Sequence, residues 1–532
     1  MIARNNTGCY KGKRPREPFQ QRLFWPAVED RAYEVDFMKH VYILSFVFLP
    51  LSALAQSVSA PVKLTVDWSH AIGVSRSAST LQVVVNPPLR PGDPLSAPAW
   101  NAVQDLGADY VRYVPWLPYP KLGVAELEPP TKEKTSWDFS RIDPMMADLM
   151  HSTAGHSTIV NFSTIPAWLF KTDKPVAYPA NADQVDWHYT QGTELVDPSG
   201  TALGNYYARL VGWYVNGGFT DENGVWHTSG HHYALPWWEV LNEVDFEHAM
   251  TPQQYTARYD AIVSAIHRVS PGTKFVGLAL AMPGQSPEYF EYFLNHSNHT
   301  PGVPLDMISY HFYASPGPGE TLNDWQYTFF DQADGFLSTV RYIEAIRKRL
   351  SPETRTDCDE LGVILPTDNT AADKTPPPAA YWNLAGALYA YLYIELSHLG
   401  IDVIGESQLV GYPTQFPSVS MMDWITHRPN ARYWVLRLIH DSFHAGDRMM
   451  RTNLTGDADS AVAAQGFLTA QGQRMVLLLN KRDRAVTVQM NSPAPRTALA
   501  VDATSAESAA RSLPLDGQKI TLAPFAVAVL AW

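Results

Sequence analysis

Leu235-Pro-Trp-Trp-Glu-Val-Leu-Asn-Glu243 is the stretch from which the rest of this chain can be read. Residues 235–241 form an apolar run of strand length that leads straight into Asn242 and the ionisable carboxylate of Glu243. A charge directly after a buried strand is poorly placed for packing and well placed for chemistry at the mouth of a sheet. A helix-like stretch, 202–215, precedes it. Another, 252–269, follows, with Gln254, Ala257, Ile262 and Ile266 at roughly helical spacing.

The same alternation continues on both sides. Strand patterns fall at 81–85, 109–114, 157–162, 238–243, 274–279, 307–313, 356–363 and 402–405. Helical patterns follow them at 97–106, 142–151, 202–215, 252–269, 288–294, 336–350, 379–398 and 431–443. Strands separated by helical crossovers pair in parallel. The series therefore predicts an α/β fold, a (β/α)8 TIM barrel over residues 61–446. A doubly wound open sheet is the competing arrangement, but no Gly-x-Gly-x-x-Gly opens a first turn here. Over 447–532 the texture becomes short strands separated by turn residues, which predicts a small β-sandwich domain. Residues 61–80 are positioned to lend it a strand.

The chain is 45% hydrophobic and 17% charged, as expected of a large packed protein. Its net charge of −13 and lack of basic runs in the body exclude a nucleic-acid partner. The 16 Trp and 26 Tyr suit both a large core and a carbohydrate site, where flat rings cover the apolar faces of sugars. Met38-Lys-His, the apolar stretch 41–51 and Ser52-Ala-Leu-Ala55 together read as a secretory signal peptide over 38–55. The expected location is thus periplasmic or extracellular, with residues 1–37 a non-native upstream extension and Met38 the start. The apolar core is short for a membrane span, so stable insertion is not expected; an internal anchor is the competing reading. Cleavage would remove Cys9 and leave Cys358 alone, so no disulfide framework is expected. The sequence carries no sign of oligomeric state.

In a (β/α)8 barrel the reacting groups sit at the C-terminal ends of strands. Glu243 ends the fourth strand, and Glu360, in Thr356-Asp-Cys-Asp-Glu-Leu-Gly362, ends the seventh, across the mouth. Two carboxylates flanking one bond are what glycoside cleavage requires: one protonates the leaving oxygen, and the other attacks or activates water. Glu406, at the end of the eighth strand, is a rival for the second role. His227, His231 and His232 cluster before the fourth strand, at the opposite face, so no metal site and no cofactor are expected. Cys358 lacks a His partner and reads as packing. Asp245, Glu247 and His248 are candidates for substrate contact on the active face.

Several stretches resemble the clan A retaining glycoside hydrolases, and among them glycoside hydrolase family 39, the β-xylosidase and α-L-iduronidase group. They are Trp137-Asp-Phe-Ser-Arg-Ile-Asp143, Ile165-Pro-Ala-Trp-Leu169, Trp238-Glu-Val-Leu-Asn-Glu243 and Ser309-Tyr-His-Phe-Tyr313. The resemblance implies that Glu243 is the general acid/base and Glu360 the nucleophile. It implies that Asn242 bonds the sugar 2-hydroxyl, that Arg112 holds the nucleophile ionised, and that His311 and Tyr313 orient Glu360 or the sugar. It also implies an oligo- or polysaccharide substrate and a β-xylosidase-like activity. An endo-acting exopolysaccharide glycosidase and an inactive carbohydrate-binding protein are the alternatives. In one respect the chain departs from the clan: Ile404-Gly-Glu-Ser-Gln408 lacks the usual Trp platform after the eighth strand. Either Trp424 reaches in from the following loop or the sugar site is built differently.

Overall fold

The computed structural model describes residues 61–187, 192–366, 368, 377–413, 415–457, 459–491, 493–505 and 507–532. The expected leader and upstream extension lie outside these. Eight parallel strands close a barrel: β1 (Ala78–Val84), β2 (Tyr110–Val114), β3 (Ser157–Val160), β4 (Trp237–Glu239), β5 (Lys274–Leu280), β6 (Met307–Ala314), β7 (Arg355–Val363) and β8 (Val403–Glu406). Each is followed by a helix: α1 (Ser96–Leu106), α2 (Asp143–Ser152), α3 (Thr201–Val215), α4 (Pro252–Val269), α5 (Pro287–Phe293), α6 (Leu322–Leu350), α7 (Ala379–Leu399) and α8 (Ala431–His440).

Local signals explain several boundaries. The Thr251 side chain accepts from the Gln254 N–H while Gln254 reaches back to Thr251, a capping box that starts α4 with Pro252 at its first position. Thr321 and Asp324 do the same for α6. That helix therefore begins 14 residues before the periodicity at 336–350 suggested, with Trp325 and Phe329 extending its apolar face. Gly107 (φ 62°) and Gly400 (φ 82°) close α1 and α7 in the left-handed conformation that glycine adopts without a Cβ penalty. Helix α7 is apolar on nearly all sides because it is covered twice, by the barrel and by the C-terminal sheet.

Val62–Val74 pairs antiparallel with Arg448–Thr455 and parallel with Val486–Met490, inside a nine-stranded sheet formed otherwise by C-terminal strands. This sheet encloses its own core of Val62, Leu64, Val66, Val476, Leu478, Val488 and Leu530. Its other face joins the main core, where Phe467 meets Phe443 at 4.6 Å between ring centroids.

Inside the barrel, side chains stack in layers set by the two-residue period of strands. Ile159, Trp237, Val276, Met307 and Val403, with Tyr110 against them, make an apolar plug near the strand starts. Two residues further along four of these strands stand Arg112, Asn161, Glu239 and Ser309, all buried. The sheet thus places polar groups directly above a dry floor.

Candidate active site

Arg112 is the hub. Its side chain is 1% exposed. Nε donates to Glu239 Oε2 at 2.6 Å and lies 2.9 Å from Asp359 Oδ2. Nη1 donates to Glu360 Oε1 at 2.5 Å, and Nη2 to Asn242 Oδ1 at 2.7 Å. Burial works against its charge, but Asp359, Glu239 and Glu360 more than offset this and push the guanidinium well above its ordinary range. Glu239 is fixed further by Asn161 Nδ2 (2.7 Å) and Ser309 Oγ (2.5 Å).

Two backbone irregularities aim the carboxylates. Between Asp357 and Glu360, strand β7 advances three residues while β6 advances two, from Ser309 to His311. The extra residue is a β-bulge. It lets the adjacent Asp359 and Glu360 both reach Arg112, which a regular strand would forbid. At β4 the ladder ends at Glu239, earlier than expected, because Leu241 takes φ 66° and leaves the sheet. Glu243 itself has φ 43°, and its N–H donates to Ala279 O at 2.9 Å. Non-glycine residues in this region cost roughly 1–3 kcal/mol each and cluster at working sites. The Glu243 carboxylate is thus held by a strained turn beyond the strand.

His311 lies between the two glutamates. Nδ1 is 3.2 Å from Glu243 Oε1 and 3.5 Å from Glu360 Oε2, and Nε2 is 3.6 Å from Asp359 Oδ1. Burial disfavours its charge, yet Glu360 and Asp359 outweigh burial and raise the imidazole well above its usual value. Tyr313 donates to Glu360 Oε2 at 2.6 Å and shares a 2.6 Å bond with Ser407. Both oxygens of Glu360 therefore accept hydrogen bonds. Burial raises Glu243 above the ordinary carboxyl range, opposed by His311 and reinforced by Glu360. Its side chain keeps 16% exposure, enough to meet a ligand at the mouth.

Of the residues expected at the site, Glu243, Glu360, Asn242, Arg112, His311 and Tyr313 come together. Trp424 lies half-buried in the turn after β8, against the hydrophobic core. Glu406 is wholly buried and paired with Arg432 at 2.9 Å, so it cannot reach a substrate. Asp245 accepts from the N–H groups of Ala281 and Met282, a loop-fixing role. His248 is buried, and burial together with the Arg258 charge pushes it down to about 3, so it is a neutral packed ring. Glu247 accepts from Asn242 Nδ2 at 2.9 Å and from the Trp116 indole.

Glu239 and Asp359 are the participants that sequence reasoning missed. Glu239 stood inside the opening stretch, four residues before Glu243, with the even-numbered offset that puts it on the barrel's inner face. Asp359 gave no signal, because strand alternation assigns inward placement to only one of two neighbours. The two are linked by a carboxyl–carboxyl contact. Burial raises Glu239 to about 7, whereas Arg112 and His311 overcome burial and lower Asp359. Of the two, Glu239 is therefore the carboxyl more readily protonated.

Donor atoms of Glu243, His311 and Glu360 lie within 4.8 Å of one another, a spacing that a metal ion could use. Arg112 already places a positive charge 2.5 Å from Glu360, and the neighbouring carboxylates favour the charged form of His311, so the donor set is poorly suited to a cation. Among the described residues no helix is long and apolar enough to cross a membrane.

Residues 459–530 match the C-terminal immunoglobulin-like domain of D-apionate lactonase. No curated protein sequence matches the chain. Among solved structures, a GH51 arabinofuranosidase from Xanthomonas axonopodis pv. citri aligns with a TM-score of 0.59 at 12% identity, over 88% of this chain and 99% of that one. A GH30 endoxylanase from Clostridium papyrosolvens C71 gives 0.53 at 13%, over 88% and 99%. A glucosidase from Croceicoccus marinus gives 0.55 at 16%, over 89% and 99%. At these identities the likeness is one of fold. The family profile of glycosyl hydrolases family 39 matches residues 55–351, more than half of the chain and all of the barrel through α6. The chain belongs to glycosyl hydrolases family 39.

Proposed function

We propose that Glu243 and Glu360 are the catalytic pair of a retaining glycosidase, with Glu360 as nucleophile and Glu243 as acid and then base. The observation that carries this reading is their separation. One oxygen of Glu243 lies within 4.8 Å of one oxygen of Glu360. Retaining enzymes space the pair at about 5–5.5 Å, whereas inverting ones leave roughly 6.5–9.5 Å for a water. Glu360 attacks the anomeric carbon while Glu243 donates its proton to the departing oxygen, which gives a glycosyl ester on Glu360. Water then attacks that carbon, Glu243 takes its proton, and Glu360 leaves.

The surroundings support the division of roles. Arg112 and Tyr313 engage Glu360 as an acceptor, while burial favours the protonated form of Glu243. Asn242, held between Arg112 and Glu247, is oriented toward the sugar 2-hydroxyl, where a hydrogen bond strengthens as positive charge develops. The activity is β-xylosidase-like, and the enzyme acts after export directed by residues 38–55. In Glu360→Ala turnover is expected to vanish and to return with azide as a glycosyl azide of inverted configuration. Full activity in that variant refutes the assignment.

A further inference from the structure

Glu247, in the β4–α4 loop, is a third carboxyl beside the pair. The N–H groups of Phe246 and Glu247 both donate to Glu243 O, at 2.8 and 2.7 Å, a tight turn that brings Glu247 back to Asn242. Its Oε1 accepts from Asn242 Nδ2 at 2.9 Å and from the indole of Trp116, just beyond β2. An indole can only donate, so Oε1 is an acceptor and a proton on this carboxyl belongs on Oε2. Oε2 is shut off from water and has no partner. Burial first, and then the Glu243 charge, push Glu247 well above the ordinary carboxyl range. Glu360 adds to this, and the bonds from Asn242 and Trp116 oppose it only in part. An enclosed O–H without a partner costs far less than an enclosed charge beside two other carboxyls.

Asn242 is held from both sides. Arg112 Nη2 donates to its Oδ1 at 2.7 Å. A guanidinium has no acceptor, so the amide cannot turn its nitrogen that way. Glu247 takes one of the two Nδ2 hydrogens and leaves the other for substrate. Without Glu247 one end of the amide is free to swing, and small losses of alignment lower rates steeply.

We propose that Glu247 is a positioning residue for the glycosidase, a clasp fixed by Trp116 that holds the Asn242 amide as a donor to the sugar 2-hydroxyl. This rests on the role given to Asn242 above. Glu247 acts with its proton on, so no third negative charge stands beside Glu243. The test is steady-state kinetics of Glu247→Met, Glu247→Gln and Asn242→Ala. The substrates are the 4-nitrophenyl glycoside turned over best among β-xyloside, α-L-arabinofuranoside and β-glucoside, and its 2-deoxy counterpart. Glu247→Met should lower kcat on the 2-hydroxy substrate about tenfold or more with KM little changed, because the bond it supports strengthens in the transition state. The 2-deoxy substrate should stay within about twofold of native. In Glu247→Gln the amide oxygen accepts the same two N–H groups, so most of the rate should return, with the native pH profile.

No loss in Glu247→Met, or a loss shared equally by both substrates, overturns the clasp. An alkaline limb displaced to lower pH in Glu247→Gln overturns its neutral character, since a negative charge would then have been removed from beside Glu243. If Glu247→Met does not fold, Trp116→Phe removes only the indole bond, and its loss must likewise be confined to the 2-hydroxy substrate. Full activity of Asn242→Ala on that substrate refutes the role of Asn242 itself. The glycosidase reading fails separately if Glu360→Ala retains turnover.

Discussion

Replacing Arg112 by Met removes the single guanidinium that Glu239, Asp359 and Glu360 share while keeping the volume of the side chain. The substitution breaks the ion pairs at 2.6, 2.9 and 2.5 Å, together with the 2.7 Å bond to Asn242. All three carboxyl side chains are at most 9% exposed, so water cannot take the place of Arg112. Removing one partner of a buried ion pair costs about 3–5 kcal/mol. With three carboxyls on one cation, the upper part of that range is expected at pH 7, measured by urea unfolding.

The penalty should depend on pH, and its sign follows from Asp359. In the native enzyme this carboxyl is lowered, so it contributes stability above its unfolded pKa near 3.8, and that stability is lost as pH falls through the lower folded value. In Arg112→Met, burial raises it instead, and ionisation of the unfolded chain above pH 4 then favours unfolding. The stability difference between native and variant should be full at pH 7 and shrink toward pH 4. A loss below about 1 kcal/mol, or one that does not change over this range, refutes the picture of Arg112 as the charge-balancing hub.

Tyr313→Phe removes the 2.6 Å bonds to Glu360 and Ser407. A hydrogen bond to a charged group contributes about 1.5–3 kcal/mol, so kcat/KM should fall roughly tenfold to hundredfold in steady-state assays with thermal stability nearly kept. In Glu243→Gln the descending alkaline limb of the pH–kcat/KM profile should disappear, since the raised carboxyl that must be protonated is gone. Natural glycosides should then lose about 10²–10⁴-fold, and dinitrophenyl glycosides much less, because their leaving group needs no proton.

The barrel was legible because each strand-and-helix unit carries its own periodicity, and eight such signals point the same way. Glu243 and Glu360 stood out because charged groups at strand mouths have no packing reason to be there, whereas Arg112 entered only through the family resemblance. What stayed hidden depends on geometry that no local pattern encodes. The β7 bulge that turns both Asp359 and Glu360 inward is a pairing property of two strands. The left-handed Leu241 and Glu243 carry no glycine to announce them. Trp116 and Glu247 stand 131 residues apart, and only the barrel makes them neighbours.

The central claim is that Glu360 forms a covalent bond with the sugar. A 2-deoxy-2-fluoro glycoside with a dinitrophenyl leaving group, incubated with the enzyme and followed by peptide mass mapping, tests it most directly. The expected result is time-dependent inactivation and a fluoroglycosyl adduct on the peptide containing Glu360. An adduct on Glu243, or turnover giving product of inverted configuration with no adduct, would contradict it.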